Sequence, residues 1–508
     1  MSRAPRPLPD RARPALSALL LGALAGCAPM APPYQAPALP VAAAYPASSA
    51  PPVSPAPPTQ PAGAAAPGPD AAAAAAAEPG LSAATTGWRA HFTDPALQAW
   101  VGQALARNRD LRSAVLRVQE AQAAYGIERA AQLPSLGVQA GLDRSRVPGD
   151  LNLTGRPVLA SQYQAGLGLA GWELDFWGRV RSLQGAALEG YLASDAARRA
   201  AAVALVAQVA NGYLALCELD ERLGLARRTI ASRAESLRIF TRRVEVGATS
   251  RLALAQVQTL LTQAQALGAQ LEQAREAQLQ ALALLAGGSP ALAGAPGRLP
   301  DDAALGPDPA PGLPSDLLAW RPDIAAAEHR LRAAHASIGA ARAAFFPRVA
   351  LTGSLGTASA ELDGLFAPGS RAWTFSPSVS LPLFDGGRLR SNLALAEVRR
   401  ELAVADYEKT VQAAFRDVAD ALSARRWLAE QLAIARSALA AQAERARLSQ
   451  LRYEQGAAAF LEVLDAQRDL LAAEQQLVQA RRALLASRVS LYAALGGASA
   501  ADLATHAP

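Results

Sequence analysis

The chain has 508 residues, of which 51% are hydrophobic but only 5% aromatic, with 38 Gly, 36 Pro and two Cys. Alanine-rich, aromatic-poor composition excludes a thick globular core and favours long helices packed at short distances, and two cysteines exclude a disulfide-stapled scaffold. The net charge of +6 does not mark a nucleic-acid binder, because acidic residues are interleaved with the arginines and no basic block stands out.

Arg3, Arg6, Arg11 and Arg13 precede an apolar run from Ala15 to Ala25, too short to span a bilayer. With the small residues that follow, residues 1–26 read as a secretory signal peptide. The sequence Leu24-Ala25-Gly26-Cys27 looks like a bacterial lipobox, which implies cleavage before Cys27 and a covalent lipid on its thiol; an ordinary signal peptide with an incidental cysteine is the alternative. Ala28 and Pro29, with no Asp beside the cysteine, fit onward sorting to an outer membrane. Residues 27–80 are almost entirely Ala and Pro and lack large apolar side chains, so they read as a flexible or extended tether behind the lipid. The other cysteine, Cys217, lies in a helical run and reads as a small buried apolar residue.

Roughly 430 residues follow Leu81. A first helical region is expected from about Asp94 to Gln132. Strands are then expected at about 134–146 and 163–174, where Leu136, Val138, Ala140 and Leu142, and later Ala165, Leu167 and Leu169, recur with period two. Helix is expected over about 178–287. From Gly178 to Glu245 there is no proline for 68 residues, long enough for one helix of ~100 Å. The break at Val246-Gly247-Ala248 precedes a returning helix whose expected seam is Ala253, Val257, Leu260, Ala264, Leu267, Leu271, Ala274, Gln278, Ala281 and Leu285. Residues 288–314, rich in Gly, Pro and Asp, read as a linker.

The order then repeats. Helix resumes near Ser315-Asp316 and runs to Phe345-Phe346-Pro347; strands are expected at about 347–357 and 373–384, and helices over about 387–496. In the second strand Phe375, Pro377, Val379, Leu381 and Leu383 alternate with Thr374, Ser376, Ser378 and Ser380. One apolar face, one small polar face and aromatic ends suit a strand between lipid and a water-filled lumen. The last helix carries the expected seam Val463, Ala466, Leu470, Ala473, Leu477, Ala480, Leu484, Ser487, Leu491 and Ala494. Gly178 and Gly387, Gly247 and Gly456, and Gly287 and Gly496 all stand 209 positions apart, whereas Asp110 and Asp323, and Pro134 and Pro347, stand 213 apart. The chain is therefore a duplicated unit of helix, two strands and two helices, 81–287 and 315–497, ending in a tail at 498–508.

Four strands cannot close into a barrel, and an open sheet edge is not tolerated in hydrocarbon, so more than one copy must combine. No phosphate loop, nucleophile motif or cofactor box is present, so no enzyme activity and no cofactor beyond the lipid on Cys27 is expected. Glu173 and Asp175 would lie together on a strand end without a cleft, which argues against a glycosidase pair. His91, His329, His335 and His506 have no metal-ligand spacing. Arg321 with Asp323 reads as a tie at a helix start.

The lipobox, Trp172-Glu173-Leu174-Asp175-Phe176-Trp177-Gly178-Arg179, Arg321-Pro322-Asp323-Ile324 leading to Phe345-Phe346-Pro347, Leu381 to Arg388, and Leu461 to Gln467 together resemble the TolC-like outer-membrane efflux lipoproteins, the outer-membrane factors of tripartite RND-type systems. The similarity covers about residues 81–497. It implies a mainly α fold with a membrane β-barrel part: a homotrimer giving four strands per protomer to a twelve-stranded barrel and its helices to a periplasmic tunnel. It also implies docking through a periplasmic membrane-fusion adaptor to an inner-membrane RND-type transporter. In related channels acidic residues at the second helical turn-around narrow the periplasmic entrance, and the matching positions here are Glu462 and Asp465. Three copies would place six carboxylates around one axis, favouring cation binding. An arginine marks this turn in the family's most familiar member; here Arg251 is present only in the first copy, and Ala457, Ala458 and Ala459 follow the turn in the second, which leaves a salt-bridged lock in question. The function implied is passive export of drugs, toxic compounds or metal ions. A duct for type I protein secretion and a lipid-anchored coiled-coil scaffold are the competing readings.

Overall fold

The computed structural model describes residues 30–38, 40–41, 87–153, 155–288, 297–301, 305–306 and 318–497. Cys27, His506, the signal peptide and the tail lie outside them, as do most of the tether and of the linker. The described residues form the helices α1 (Trp88–His91), α2 (Pro95–Arg107), α3 (Arg109–Ala130), α4 (Arg179–Glu245), α5 (Arg251–Leu285), α6 (Pro322–Ala343), α7 (Arg388–Glu454) and α8 (Phe460–Ala494). They also form the strands β1 (Leu136–Val147), β2 (Val158–Leu174), β3 (Arg348–Ser359) and β4 (Arg371–Ser380). The chain divides into two compact units.

One unit combines Arg117–Ser194 and Ala326–Glu408 with residues 30–38. Its sheet is antiparallel in the order β1-β2-β3-β4. Directly paired residues share a face. The rows Val138–Leu167–Leu355–Trp373 and Leu136–Leu169–Gly353–Phe375 make one face apolar. Gly137–Gly168–Ser354–Thr374 and Gln139–Gly166–Gly356–Ala372 make the other small and polar. Leu136, Val138, Leu167, Leu355, Trp373 and Phe375 are all exposed.

Leu169 and Trp172 are an odd number of residues apart and would face opposite ways in a regular strand. A bulge at Ala170-Gly171 corrects this: Leu169 pairs with Gly353 and Trp172 with Leu351, so both indole and leucine stay on the apolar face. Gly171 takes φ of 59°, and its N–H donates to Thr352 Oγ1 at 3.3 Å. β2 begins at Val158, five residues before the alternation at Tyr163, because Val158 pairs with Val147 at the end of β1. β4 stops at Ser380, before the expected 384, because Ser380 already pairs with Arg348, the first residue of β3.

Ion pairs and aromatic contacts close the sheet's base. Glu173 accepts from Arg179 Nε and Nη2 at 2.8 and 2.7 Å and meets Arg348 Nε at 2.8 Å. Asp175 Oδ2 accepts from the Arg181 N–H at 2.9 Å. The Trp177 Nε1–H donates to the Pro347 carbonyl, and the Trp177 ring stacks on Phe346 with centroids 4.9 Å apart. Glu173 and Asp175 are thus committed to structure. The described part of the tether also departs from the expected free chain. His335 Nε2 lies 2.7 Å from the Pro32 carbonyl oxygen, the Tyr34 hydroxyl donates to Glu328, and Arg332 lies over the Tyr34 ring. Tyr34 supplies the large side chain that an Ala/Pro average conceals.

The second unit is helical and includes Asp195–Ala325 and Lys409 onward. Its core contains Trp88, Phe92, Leu97, Tyr213, Leu282 and Tyr492, with His91 stacked on Tyr492 at 4.3 Å. Asp94 caps α2 by accepting from the Ala96 N–H, and its other carboxylate oxygen accepts from the Tyr213 hydroxyl at 2.9 Å. Cys217 is fully buried, and burial pushes its thiol up to about 12. The duplication is visible at the start of each copy's helical pair. Asn108 Nδ2 donates to the Leu285 carbonyl at 2.9 Å, while Arg321 Nη1, 213 positions on, donates to the Ala494 carbonyl at 3.0 Å. Each satisfies an orphan C-terminal carbonyl of α5 or α8.

The turn-arounds follow from glycine. Gly247 and Gly456 adopt φ of 73° and 69°, and Ala248 N–H→Arg243 O and Ala457 N–H→Arg452 O, both 2.8 Å, complete the same Schellman closure. The seams need correction. In α5 the fully buried side chains are Val257, Leu261, Ala264, Gly268, Leu271 and Leu282, while Leu260, Leu267, Ala274, Gln278 and Leu285 are half-buried and Ala281 is exposed. In α8, Val463, Ala466, Ser487, Leu491 and Ala494 of the expected seam are buried, joined by Leu471, Gln475, Val478, Leu485, Val489 and Tyr492, whereas Leu470, Ala473, Leu477, Ala480 and Leu484 are half-buried. The expected stripe thus holds at Val257, Ala264 and Leu271 of α5 and at both ends of α8, and is displaced by one residue between them, where an apolar or small residue occupies the adjacent position and either row satisfies a heptad. Linker residues are tied down as well: the Leu299 N–H donates to Glu221, and Arg488 donates to the Leu305 and Gly306 carbonyls.

A Cβ at Gly356 would lie 2.1 Å from the Ala165 carbonyl oxygen, whereas one at Gly137 meets nothing within 4 Å. Gly356→Ala is therefore expected to cost on the order of 2 kcal/mol and lower the melting midpoint of the sheet followed by far-ultraviolet circular dichroism, while Gly137→Ala changes little. Equal midpoints for the two variants would rule out a close approach at Gly356.

Candidate functional site: a pore wall and a helical turn-around

The sheet's small polar face offers a surface that water can wet. Ser354 Oγ lies 2.7 Å from Thr374 Oγ1, and Ser378 donates to the Ala350 carbonyl. Gln139 packs over Gly168, where a Cβ would come within 2.8 Å of its amide, and Gln164 lies beside Gly141. Glycines on this face make room for the neighbouring amides. The opposite face carries an exposed apolar band through Val138, Leu167, Leu355 and Trp373, and turns polar only toward its far end at Arg144, Arg146 and Arg371.

In the helical unit, the second turn-around gathers charge. Glu462, in the first turn of α8, pairs with Arg452 Nη1 from the last turn of α7 at 2.7 Å. Asp465 pairs with Arg468 at 3.2 Å; Arg468 also meets Asp469 at 2.9 Å, and Asp469 meets Arg445 of α7 at 2.7 Å. Hydrogen bonds from Arg445 and then Arg468 hold the Asp469 carboxyl below the usual carboxylate range. Arg251, exposed at the first position of α5, makes no ion pair with a described residue, and the ion pairs of Glu462 and Asp465 go to Arg452 and Arg468 instead. An arginine at the turn does exist, then, on the outgoing helix. The duplication carried the signal for it, since Arg452 and Arg243 stand 209 positions apart. Beneath these charges Phe460 packs on Phe240 and Tyr453 at 4.3 and 4.9 Å, and Arg243 donates to the Tyr453 hydroxyl. Ser250 caps α5 through its hydroxyl; Ala459 at the equivalent position of α8 has no side chain to do so.

The remaining polar candidates are structural. Arg321 is buried, bound by Asp323 at 2.6 and 3.0 Å and by Asp417 at 3.3 Å. Burial pulls its pKa down, but the bonds and charges of these two carboxylates outweigh that and raise it. His329 Nδ1 lies 2.6 Å from Glu189, and His91 and His335 are held as described above. Among the described residues no cluster of His, Cys, Asp and Glu could hold a metal.

A wettable sheet face backed by an exposed carbon face, joined in one chain to duplicated helical hairpins, finds its match among known proteins. The family described as Outer membrane efflux protein matches residues 100–288 and 313–497. The chain belongs to that family. Outer membrane protein OprJ of Pseudomonas aeruginosa is 42% identical over 485 residues, 95% of each chain. The solvent efflux pump outer membrane protein SrpC of Pseudomonas putida is 44% identical over 411 residues, 80% of this chain and 86% of that one. A solved membrane protein from Pseudomonas aeruginosa superposes with a TM-score of 0.82 at 41% identity, covering 93% of this chain and 98% of that one. The open state of the Neisseria gonorrhoeae MtrE outer membrane channel does so with a TM-score of 0.77 at 36% identity, covering 93% and 98%. This member of the family is an outer-membrane efflux channel component, mainly helical with a β part.

Glu474, on α8, has its carboxyl pushed up by burial, with Arg228 pulling the other way. A raised folded-state value means the native state holds its proton more tightly, so stability falls as pH rises from the ordinary 4.5 through the raised value. Glu474→Gln is expected to melt higher than the parent at pH 8, with the difference disappearing below pH 4.5 in thermal melts at both pH values. A difference independent of pH would assign the effect to something other than ionisation.

Proposed function

We propose that the chain is the outer-membrane duct of a tripartite pump: a homotrimer in which three four-stranded sheets close one twelve-stranded barrel. It receives small molecules from a periplasmic membrane-fusion adaptor and an inner-membrane RND-type transporter and conducts them outward without chemistry of its own. The carrying observation is the sheet: among the described residues its edge strands β1 and β4 are each unpaired on one side, and one face carries a broad, exposed apolar band. In hydrocarbon such edges must find partners, at several kcal/mol for each unsatisfied backbone group. The relatives named as solvent, toluene and antibiotic efflux pump proteins favour organic small molecules as cargo over metal ions and over secreted proteins. The scaffold reading leaves the apolar sheet face unexplained.

Cys27 carries the lipid in this reading. Mass spectrometry of the purified protein is expected to find an N-terminus at Cys27 with acyl chains attached; an unmodified cysteine, or a terminus elsewhere, would exclude the anchor.

Glu462 and Asp465 form the periplasmic gate, and Arg452 and Arg468 hold them while it is shut. Arg251 lies at the other turn-around and plays no part in that pairing. Replacing both acids with alanine is expected to raise single-channel conductance in planar bilayers by more than about twofold and to weaken block by multivalent cations. If conductance and block both stay as in the parent, the constriction lies elsewhere.

A further inference from the structure

The sheet carries its charge differently at its two ends. At the base, Arg179 and Arg348 pair with Glu173, and Arg181 pairs with Asp175. At the opposite end, where loops join β1 to β2 and β3 to β4, Arg144, Arg146 and Arg371 are exposed and none makes an ion pair with a described residue. Arg144 pairs in register with Ser161, Arg146 with Leu159 and Arg371 with Thr357. Paired residues share a face and every second residue returns to it, so all three arginines leave the sheet on the side of Val138, Leu167, Leu355 and Trp373. The acids of this end are placed elsewhere. Asp143 lies between Leu142 and Arg144 and so faces the wettable side, while Asp150, Glu361 and Asp363 belong to the connecting segments.

The band that these arginines terminate has the height of a hydrocarbon layer. From Val349 to Ser359 β3 rises ~34 Å at about 3.4 Å per residue, and a strand tilt of about 40° leaves ~26 Å across a bilayer, against the roughly 25 Å apolar band of spanning barrels. Tyr163 stands in the row of Leu142 and Ser359, where an amphipathic ring suits the boundary between acyl chains and headgroups. Arg144 is one row beyond that boundary, Arg146 two rows beyond and Arg371 one row short of it. The apolar stem of an arginine lets each guanidinium reach headgroup level. A molecule lying against both the band and the arginines must therefore combine acyl chains with anionic groups at their head. Guanidinium forks match phosphate oxygens in pairs. Three unpaired cations suit a lipid with more than one phosphate better than a zwitterionic phospholipid, whose ammonium group offsets its single phosphate. The helical extension is periplasmic, so the loop end of the sheet reaches the outer leaflet.

We propose that Arg144, Arg146 and Arg371 form a docking site for the phosphate groups of the phosphorylated glycolipid of the outer leaflet, with its acyl chains lying along the apolar band below. This assignment rests on the barrel reading above, in which the apolar face meets lipid, and adds which lipid that face holds.

The test is native mass spectrometry of the full-length protein in lauryl maltoside, offered diphosphoryl lipid A, lipid A stripped of both phosphates, or phosphatidylethanolamine. The parent is expected to retain diphosphoryl lipid A at least about fivefold better than either of the others. Combined Arg144→Gln, Arg146→Gln and Arg371→Gln is expected to abolish that preference, and the three Arg→Lys changes to keep most of it. A glutamine variant with the parent's preference overturns the site. Displacement of lipid A by inorganic phosphate, where sodium chloride of equal ionic strength does not displace it, assigns the arginines to free phosphate and overturns the lipid assignment. A parent chain that inserts into phospholipid vesicles yet retains the three lipids equally rejects this proposal and leaves the barrel standing; a parent chain that does not insert overturns both. Should the triple variant not assemble, Arg144→Gln and Arg371→Gln singly decide: a reduced preference in each upholds the site, and an unchanged preference in both rejects it.

Discussion

The structure depends on backbone hydrogen bonding at the two edges of a four-stranded sheet. β1 and β4 each present one side of their N–H and C=O groups to no described strand of the same chain. Water would satisfy them, but the carbon face formed by Val138, Leu167, Leu355 and Trp373 is placed for an environment without water. Those two facts are incompatible in a single chain in a bilayer and compatible in a closed ring. The bulge at Ala170-Gly171 belongs to the same constraint, since without it Trp172 would turn from the carbon face to the wet one.

The helical part solves a different problem with the same duplication. Helices of 67 residues cannot rest on propensity alone, and here small residues bring backbones close while polar side chains fix the register. Ala264 and Gly268 of α5 let α4 approach, with Ile230 filling the space above Gly268. Arg222 with Glu218 and Gln475, Arg481 with Glu221, and Arg275 with Asp220 tie α4 to its neighbours at one level. Each pair alone contributes little, but a half-buried network penalises a slip of one turn, which would strand several charges together.

Much of this was legible in the sequence. The strands, the turn-arounds at Gly247 and Gly456, and the duplicated register follow from period-two alternation and fixed spacing, signals that tertiary packing does not overwrite. The exact buried stripe was not legible. Leu470 and Leu471 are both leucines, and only the direction in which α8 leans on its neighbours decides that Leu471 is buried. The bulge was hidden because Ala170-Gly171 looks like a continuation of Gly-Leu-Gly-Leu. Arg452 escaped for another reason: it precedes Gly456, on the helix that enters the turn, whereas the residues after the glycine are alanines, and only Arg243 in the first copy marks the same position. The stretch around Tyr34 was averaged away by the alanines and prolines beside it.

The chemistry of the turn-around bears on the gate proposed for it. Glu462 and Asp465 are not bare carboxylates facing one another; each is held by an arginine of its own chain, and all four side chains are substantially exposed. Exposed ion pairs contribute roughly 0–1 kcal/mol each, so an arrangement built from them is held weakly and reversibly. Phe240, Phe460 and Leu464 form the stiff part beneath, and a hairpin pivoting on that apolar cluster can exchange one set of ion pairs for another at small net cost. A partner that binds the pivoted hairpin better shifts the population by no more than its difference in affinity, and against ion pairs this weak a difference of a few kcal/mol is sufficient. On the gate reading proposed above, contact with such a partner is enough to open the turn-around.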